Sequence, residues 1–108
     1  MKDPNVYLVH IAEAIEKIAD YTKGGEAEFQ NKTIIQDAAI RNLEIIGEAA
    51  KRVPDELRGK EPSIPWKRLA GLRDILIHQY EGVDLGQVWR IATAVLPEIL
   101  TNIQAISK

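Results

Sequence analysis

Apolar side chains recur at steps of three and four residues along almost the whole chain. No segment alternates apolar and polar residues in the two-residue period of a half-buried strand. Because an α-helix turns once in about 3.6 residues, this spacing predicts helices throughout. The 108 residues are 45% hydrophobic and 28% charged, which is typical of a folded globular chain of one-domain size. We therefore predict an all-α fold, with residues 1–108 forming a single domain.

The pattern divides into four predicted helices. The first spans about residues 4 to 22 and stops at Gly24 and Gly25, and its apolar stripe is Tyr7, Ile11, Ala14, Ile15, Ile18 and Tyr21. The second spans about residues 31 to 53 and stops at Pro54. The third enters at Pro65 and runs to about residue 78. The fourth begins near Asp84 and continues to the C-terminus, with a kink expected at Pro97. Short connections between such helices favour a four-helix up-and-down bundle, with a short connector between helices two and three.

The second helix carries the most detailed predictions. Its apolar stripe is Ile34, Ile35, Ala38, Ile45, Ile46, Ala49 and Val53. Thr33 with Gln36 fits a capping box at its start, although Asn31 is a rival cap. Further apolar positions lie beyond the stripe, at Ala39, Leu43 and Ala50. They indicate burial on a second side, either against another copy of the chain or in a deep core. Phe29 falls in a short polar connection before this helix.

Composition excludes several classes of function. The chain has no cysteine, so disulfide frameworks, thiolate catalysis and cysteine-based metal sites are excluded. It has no apolar run long enough for a membrane span and no signal-peptide pattern at its start, so we expect a cytoplasmic protein without membrane contact. The net charge of −2 argues against a broad, non-specific coating of nucleic acid. The first fifty residues are net acidic and residues 51 to 73 are net basic, so a polyanion would meet the middle of the chain, unless that stretch is only a solvated face.

Residues 73 to 80 carry the chemistry that stands out. They place Arg73, His78 and Tyr80 in an R-x4-H-x-Y arrangement at the end of an otherwise apolar helix. Arginine offers a fixed fork of donors for phosphate. Histidine can accept and donate a proton near neutral pH. Together these groups meet the minimum for RNA cleavage without a metal, since RNA carries its own nucleophile in the 2′-OH.

Helix geometry separates the arginine from the histidine. Five residues turn by about 500°, so Arg73 and His78 would lie about 140° apart around the axis and about 7.5 Å along it. Either the helix loosens before His78, or a second copy completes the site across a two-fold axis. We favour the second copy, because it would bring a base and an acid to one cleft from identical subunits.

Several motifs in and around this segment resemble a known family. They are Ile-Pro-Trp at 64–66, Gly-Leu-Arg-Asp at 71–74, His-Gln-Tyr at 78–80, Val-Asp at 83–84, Val-Trp at 88–89, Leu-Pro at 96–97, and the stretch Arg-Asn-Leu-Glu-Ile-Ile-Gly-Glu-Ala at 41–49. Taken together they are similar to the signature of HEPN-domain toxins of the HepT type, and the similarity covers nearly the whole chain. The combination is far more specific than R-x4-H alone.

The resemblance implies a four-helix HEPN bundle, a homodimer with its cleft at the interface, and a ribonuclease toxin of a type VII-like toxin–antitoxin module. Arg73 and His78 would be the catalytic residues. An MntA-like nucleotidyltransferase antitoxin would neutralise the toxin by transferring AMP from ATP onto Tyr80. Cleavage itself would need no cofactor. The residue after the arginine is often asparagine in this family and is Asp74 here. Asp74 would support the site by orienting Arg73 or His78, or would weaken RNA binding by its charge.

The sequence also permits an alternative function, and other prominent residues are expected to have structural roles. A non-catalytic bundle could use the R-x4-H pocket only to bind a nucleotidyltransferase or a nucleotide. Arg41, Glu44 and Glu48 form a row at helical spacing that suggests solvated or interfacial ion pairs rather than a metal site. Trp66 and Trp89 are expected to be core anchors, and His10 on helix one is expected to be structural. These assignments leave the Arg73–Tyr80 segment as the candidate site.

Overall fold

The computed structural model describes residue 3, residues 5–72 and residues 84–106. Within these ranges the chain is helical and contains no strand, which confirms the predicted fold class. The elements are α1 (Asn5–Thr22), α2 (Glu26–Asn31), α3 (Thr33–Arg52), α4 (Asp55–Arg58), α5 (Trp66–Ala70), α6 (Leu85–Arg90), a π-helical segment (Ile91–Val95) and α7 (Leu96–Ile106). None of the helices in these ranges combines the length and apolarity needed to cross a membrane.

The long helices α1 and α3 pack along each other and form the largest contact in the fold. The predicted stripe of α1 is buried at Ile11, Ala14, Ile15 and Ile18. α1 also contacts the π-helical segment and α7, and α3 contacts α5. These contacts enclose one apolar core, to which every one of these elements contributes.

The predicted stripe of α3 is partly wrong. Ile34 is 77% exposed and Ile45 is 37% exposed, whereas Ala39, Leu43 and Ala50 are fully buried. The predicted stripe residues Ile46, Ala49 and Val53 are buried. The buried face is thus shifted from the predicted stripe toward Ala39, Leu43 and Ala50, the side for which a second burial was predicted. Because the side occupied by Ala39, Leu43 and Ala50 is covered by this chain's own core, these residues carry no argument for a second copy.

The segment between α1 and α3 contains a helix that the sequence pattern does not reveal. Gly25, whose φ is +97°, turns the chain after α1 into α2. Phe29 on α2 is fully buried, and its ring lies 5.4 Å from that of Trp89. The prediction of a polar connection is therefore wrong. This residue closes one end of the core.

The predicted capping box at the start of α3 is also wrong. Lys32 is the N-cap residue, and it makes no side-chain capping hydrogen bond. The Gln36 amide instead donates from Nε2 to the carbonyls of Phe29 and Gln30, at 2.9 and 3.1 Å. Asn31, the rival cap, donates to the carbonyl of Ala27 within α2. Gln36 thus satisfies carbonyl groups at the end of α2 and ties the two helices together.

The C-terminal helical stretch begins as predicted at Asp84, whose Oδ1 accepts a hydrogen bond from the backbone N–H of Gln87 at 3.2 Å. Instead of a plain helix approaching Pro97, residues 91–95 form a π-helical segment. Proline cannot donate a backbone hydrogen bond, and the Thr93 hydroxyl donates to the carbonyl of Trp89 at 2.8 Å. Both features favour a looser ladder just before Pro97.

Candidate active site

The four residues assigned to the site from the sequence, Arg73, Asp74, His78 and Tyr80, lie outside the described residues. Their mutual geometry and their roles stay predictions. The structure does describe the helices on either side, α5 before the segment and α6 after it. The contacts that hold those two helices fix the ends of the described chain on either side of the segment.

The approach to α5 is tied to the end of α3 by Arg58. Its guanidinium donates to the carbonyls of Val53 and Ala50, both at 2.9 Å. A positive charge that donates to the last carbonyls of a helix satisfies groups that the helix itself leaves unpaired. The short helix α4 is thereby fixed against α3.

Trp66, the first residue of α5, holds that helix against the same connector. Its indole N–H donates to the carbonyls of Arg58 and Glu61, at 3.2 and 3.1 Å, and the residue is only 7% exposed. Leu69 and Leu72 are buried on the same stretch. The predicted anchoring role of Trp66 is confirmed. Because Leu72 directly precedes Arg73, the chain enters the motif from a position fixed by core packing.

On the other side, α6 is anchored by Val88 and Trp89. Val88 is 2% exposed, and half-buried Trp89 packs its ring on Phe29 at an interplanar angle of 42°. This supports the predicted core role of Trp89. Together with the Asp84 cap, these contacts fix where the chain leaves the motif.

A cleft of about 280 Å³ lies between α5 and the helical stretch from α6 to α7. We call it the α5–α6 cleft. Its walls are largely apolar and include Leu69, Leu72, Ile91, Val95, Leu96 and Ile99. Its polar lining residues are Arg68, Gln87 and Arg90. Arg68 and Arg90 are exposed, and neither forms an ion pair with a described residue.

Sequence reasoning did not single out Arg68 or Arg90. Arg68 belongs to the net basic stretch of residues 51 to 73, which was the only signal for it. Arg90 follows Gln87 by three residues on a helix whose start is fixed by Asp84, so their shared face could have been anticipated. The sequence alone does not predict that this face lines the same cleft as Arg68.

The remaining predicted polar residues lie elsewhere. His10 is exposed on α1 and lines a shallow groove with Glu13 and Asn42, so it is not a core histidine. Arg41 and Glu44 are exposed on α3, and Glu48 forms an ion pair with Arg52 at 3.4 Å, as a solvated row would. In the described ranges, no group of three histidine, aspartate or glutamate residues could hold a metal ion.

Comparison with known families gives a match to the model described as "Ribonuclease HepT-like" over residues 11–106, which span the α5–α6 cleft and the whole Arg73–Tyr80 segment. The chain belongs to the HepT-like ribonuclease family. Three relatives are similar to this chain over nearly its whole length. A Methanocaldococcus jannaschii protein named "Gamma-glutamylcyclotransferase and putative RNase MJ0434" is 48% identical over 97% of this chain, which spans only 48% of that longer protein.

A second protein of that organism, named "Putative RNase MJ1216", is 45% identical over 99% of this chain and 89% of its own length. A Thermococcus cleftensis protein named "Probable ribonuclease HepT" is 41% identical over 94% of each chain. No solved structure gives a significant match. The HepT-like assignment thus confirms the resemblance seen in the motifs. The α5–α6 cleft lies between the two helices that flank the R-x4-H-x-Y segment in the sequence, and it is the candidate site that the structure describes.

Proposed function

We propose that this chain is the toxin of a type VII-like toxin–antitoxin module and cleaves RNA without a metal ion. The observation that carries the proposal is membership in the HepT-like ribonuclease family over residues 11–106, a range that includes Arg73 and His78. We further propose that residues 1–108 form one four-helix up-and-down bundle of the HEPN type. The pairing of α1 with α3, and the contacts of each with the remaining helices, support that arrangement.

The proposed reaction uses the 2′-OH of RNA as its nucleophile. One His78 imidazole accepts the 2′-OH proton while the 2′ oxygen attacks the adjacent phosphorus. The bond from phosphorus to the 5′ oxygen breaks, and a second His78 imidazole protonates that oxygen. Arg73 stabilises the negative charge on the phosphoryl oxygens. The products are a 2′,3′-cyclic phosphate end and a 5′-hydroxyl end.

Two imidazoles in one site require two copies of the chain. We therefore propose a homodimer whose cleft combines Arg73 and His78 of both protomers, with Asp74 orienting one of them. The dimer rests on the helix geometry of the motif and on the family resemblance. It does not rest on α3, where the second apolar side is covered by the chain's own core.

Cleavage of RNA in the presence of EDTA tests the reaction. We expect the purified chain to cut single-stranded RNA in EDTA, to leave 2′,3′-cyclic phosphate ends, and to leave DNA of the same sequence intact, because DNA lacks the 2′-OH nucleophile. Circular RNA, which has no ends, would be opened by an endonuclease and spared by an end-trimming enzyme. Activity lost in EDTA and restored by Mg²⁺ would contradict the metal-independent mechanism. Tight partner or nucleotide binding without any cleavage would favour the non-catalytic alternative.

Neutralisation by AMP transfer gives a separate prediction. An MntA-like nucleotidyltransferase would catalyse attack of the Tyr80 phenol oxygen on the α-phosphorus of ATP, with loss of the phenol proton and release of pyrophosphate. After incubation with that partner and ATP, intact mass should rise by whole AMP units and RNA cleavage should stop, because a bulky anion then occupies the site. The chain has three tyrosines, so Tyr7→Phe and Tyr21→Phe are matched controls that should still gain the mass. An unchanged gain in Tyr80→Phe would refute Tyr80 as the acceptor.

A further inference from the structure

We propose that the α5–α6 cleft is a binding subsite for one nucleotide of the RNA, with its base between the apolar walls and its phosphate at Arg68 and Arg90. The proposal rests on the proposed ribonuclease function. It adds a subsite formed by residues outside the R-x4-H-x-Y motif.

Charge distinguishes this cleft from four other grooves on the described surface. Its described lining contains two arginines and no carboxylate. Four shallower grooves elsewhere each include at least one glutamate, such as Glu44 and Glu48 on α3 or Glu13 and Glu16 on α1. Those grooves also contain Arg41, Lys17 or Arg52, so their described linings are neutral or net acidic. Of these five sites, the α5–α6 cleft is the one whose described lining is net basic, which favours an anion there.

The volume and apolar lining of the cleft indicate a ligand larger than a free phosphate. Its volume of about 280 Å³ is close to the lower end of the range of small-molecule sites, which is roughly 300–1,000 Å³. Leu69 and Leu72 form one wall, and half-buried Ile91 and Val95 form the other. Aliphatic walls can hold the flat face of a base, while guanidinium groups at the rim bind a phosphate through several donors. Gln87 adds an amide that can both donate and accept hydrogen bonds.

The π-helical segment is a second feature of the cleft wall that is often associated with function. Short π-helical insertions are rare and occur frequently at functional sites. Here the segment contributes Ile91 and Val95 to the cleft, and Arg90 directly precedes it. The irregular stretch of the C-terminal helix therefore coincides with the cleft wall.

The position of the cleft connects it to the proposed chemistry. Leu72, in its wall, immediately precedes Arg73 in the chain, and Gln87 lies on the helix that follows the motif. An RNA strand with one nucleotide in the cleft would have a neighbouring phosphodiester close to where the chain enters the motif. We therefore assign Arg68 and Arg90 to substrate binding and not to bond cleavage.

Binding of a short RNA whose 2′ positions are O-methylated tests the subsite, since such a strand cannot be cut by attack of the 2′-OH. Arg68→Ala and Arg90→Ala should each raise Kd about tenfold, as expected for a lost hydrogen bond to a charged group. Each should also reduce the dependence of log Kd on log salt concentration by about 0.7. Lys67→Ala is the matched control, because it removes the same charge from the adjacent exposed residue of α5, which does not line the cleft. Its Kd should change less than about twofold.

A strand with an abasic unit tests the apolar walls. The wild-type protein should bind it more weakly than the intact strand, whereas equal affinity would overturn the assignment of a base to the cleft. On cleavable RNA, the two arginine variants should raise KM and leave kcat near its wild-type value. A loss confined to kcat would overturn the binding role. Unchanged RNA affinity with lost affinity for the nucleotidyltransferase would assign the cleft to a protein partner instead.

These outcomes separate the subsite from the proposed function. Arginine-dependent RNA binding by a protein that never cuts RNA would refute the ribonuclease proposal and support the subsite. RNA cutting with a KM that is insensitive to Arg68→Ala and Arg90→Ala would support the ribonuclease proposal and refute the subsite.

Discussion

Replacing His78 by alanine is expected to lower kcat for RNA cleavage by about 10²–10⁴-fold, the contribution typical of general acid–base catalysis. In the proposed dimer the effect falls at the upper end of that range, because one substitution removes both the base that activates the 2′-OH and the acid that protonates the 5′ oxygen. KM should change much less, because Arg73, Arg68 and Arg90 still bind the phosphates. Single-turnover cleavage of a labelled RNA measures the chemical step directly.

His10→Ala is the matched control, since the chain has only two histidines. His10 is exposed on α1, in a groove formed with α3 and away from the α5–α6 cleft. Its replacement should leave both kcat and KM at wild-type values. Equal cutting by wild type and His78→Ala would remove His78 from the mechanism, and with it the argument for a site built from two protomers.

The sequence pattern predicted the long helices well because each has many core positions. Four buried residues of α1 were predicted by their spacing. On α3 the helix was predicted, and so was the burial of Ile46, Ala49 and Val53. Ile34 and Ile45 were wrongly included in the stripe, since they are as apolar as the residues that are buried. Small residues such as Ala39 and Ala50 line the true face, where they let helices approach closely. Only the packing of α1 and α5 against α3 decides which face is covered.

The candidate site likewise has one part that the sequence reveals and one part that only the fold reveals. The R-x4-H-x-Y segment is a local motif, so the sequence alone can suggest its chemistry. The α5–α6 cleft is lined by Arg68 and Arg90, which lie on different helices more than twenty positions apart along the chain. No local periodicity connects such residues. Their proximity follows from the way Arg58 and Trp66 fix α5 and the way Asp84 and Trp89 fix α6.

Phe29 is the residue whose importance the sequence pattern conceals most completely. A helix of six residues with a single large apolar side chain shows no periodicity, so α2 reads as a polar loop. In the fold, Phe29 is fully buried, and α2 contacts α1, α3 and α6 around it. Its ring also supports Trp89, which anchors the helix that follows the motif.

Replacing Phe29 by alanine is therefore expected to lower the free energy of unfolding by about 3–5 kcal/mol, a large share of the stability of a small domain. The loss combines the transfer energy of the ring with the cavity left beside Trp89, which cannot collapse while Gln36 holds α2 to α3. Urea unfolding followed by circular dichroism measures it, and the midpoint should fall while the slope stays unchanged. Ile34→Ala is the control, because it removes apolar atoms from a side chain that is 77% exposed and should change stability by less than about 0.5 kcal/mol. If Phe29→Ala costs no more than Ile34→Ala, α2 is not a part of the core, and Trp89 must hold α6 by other contacts.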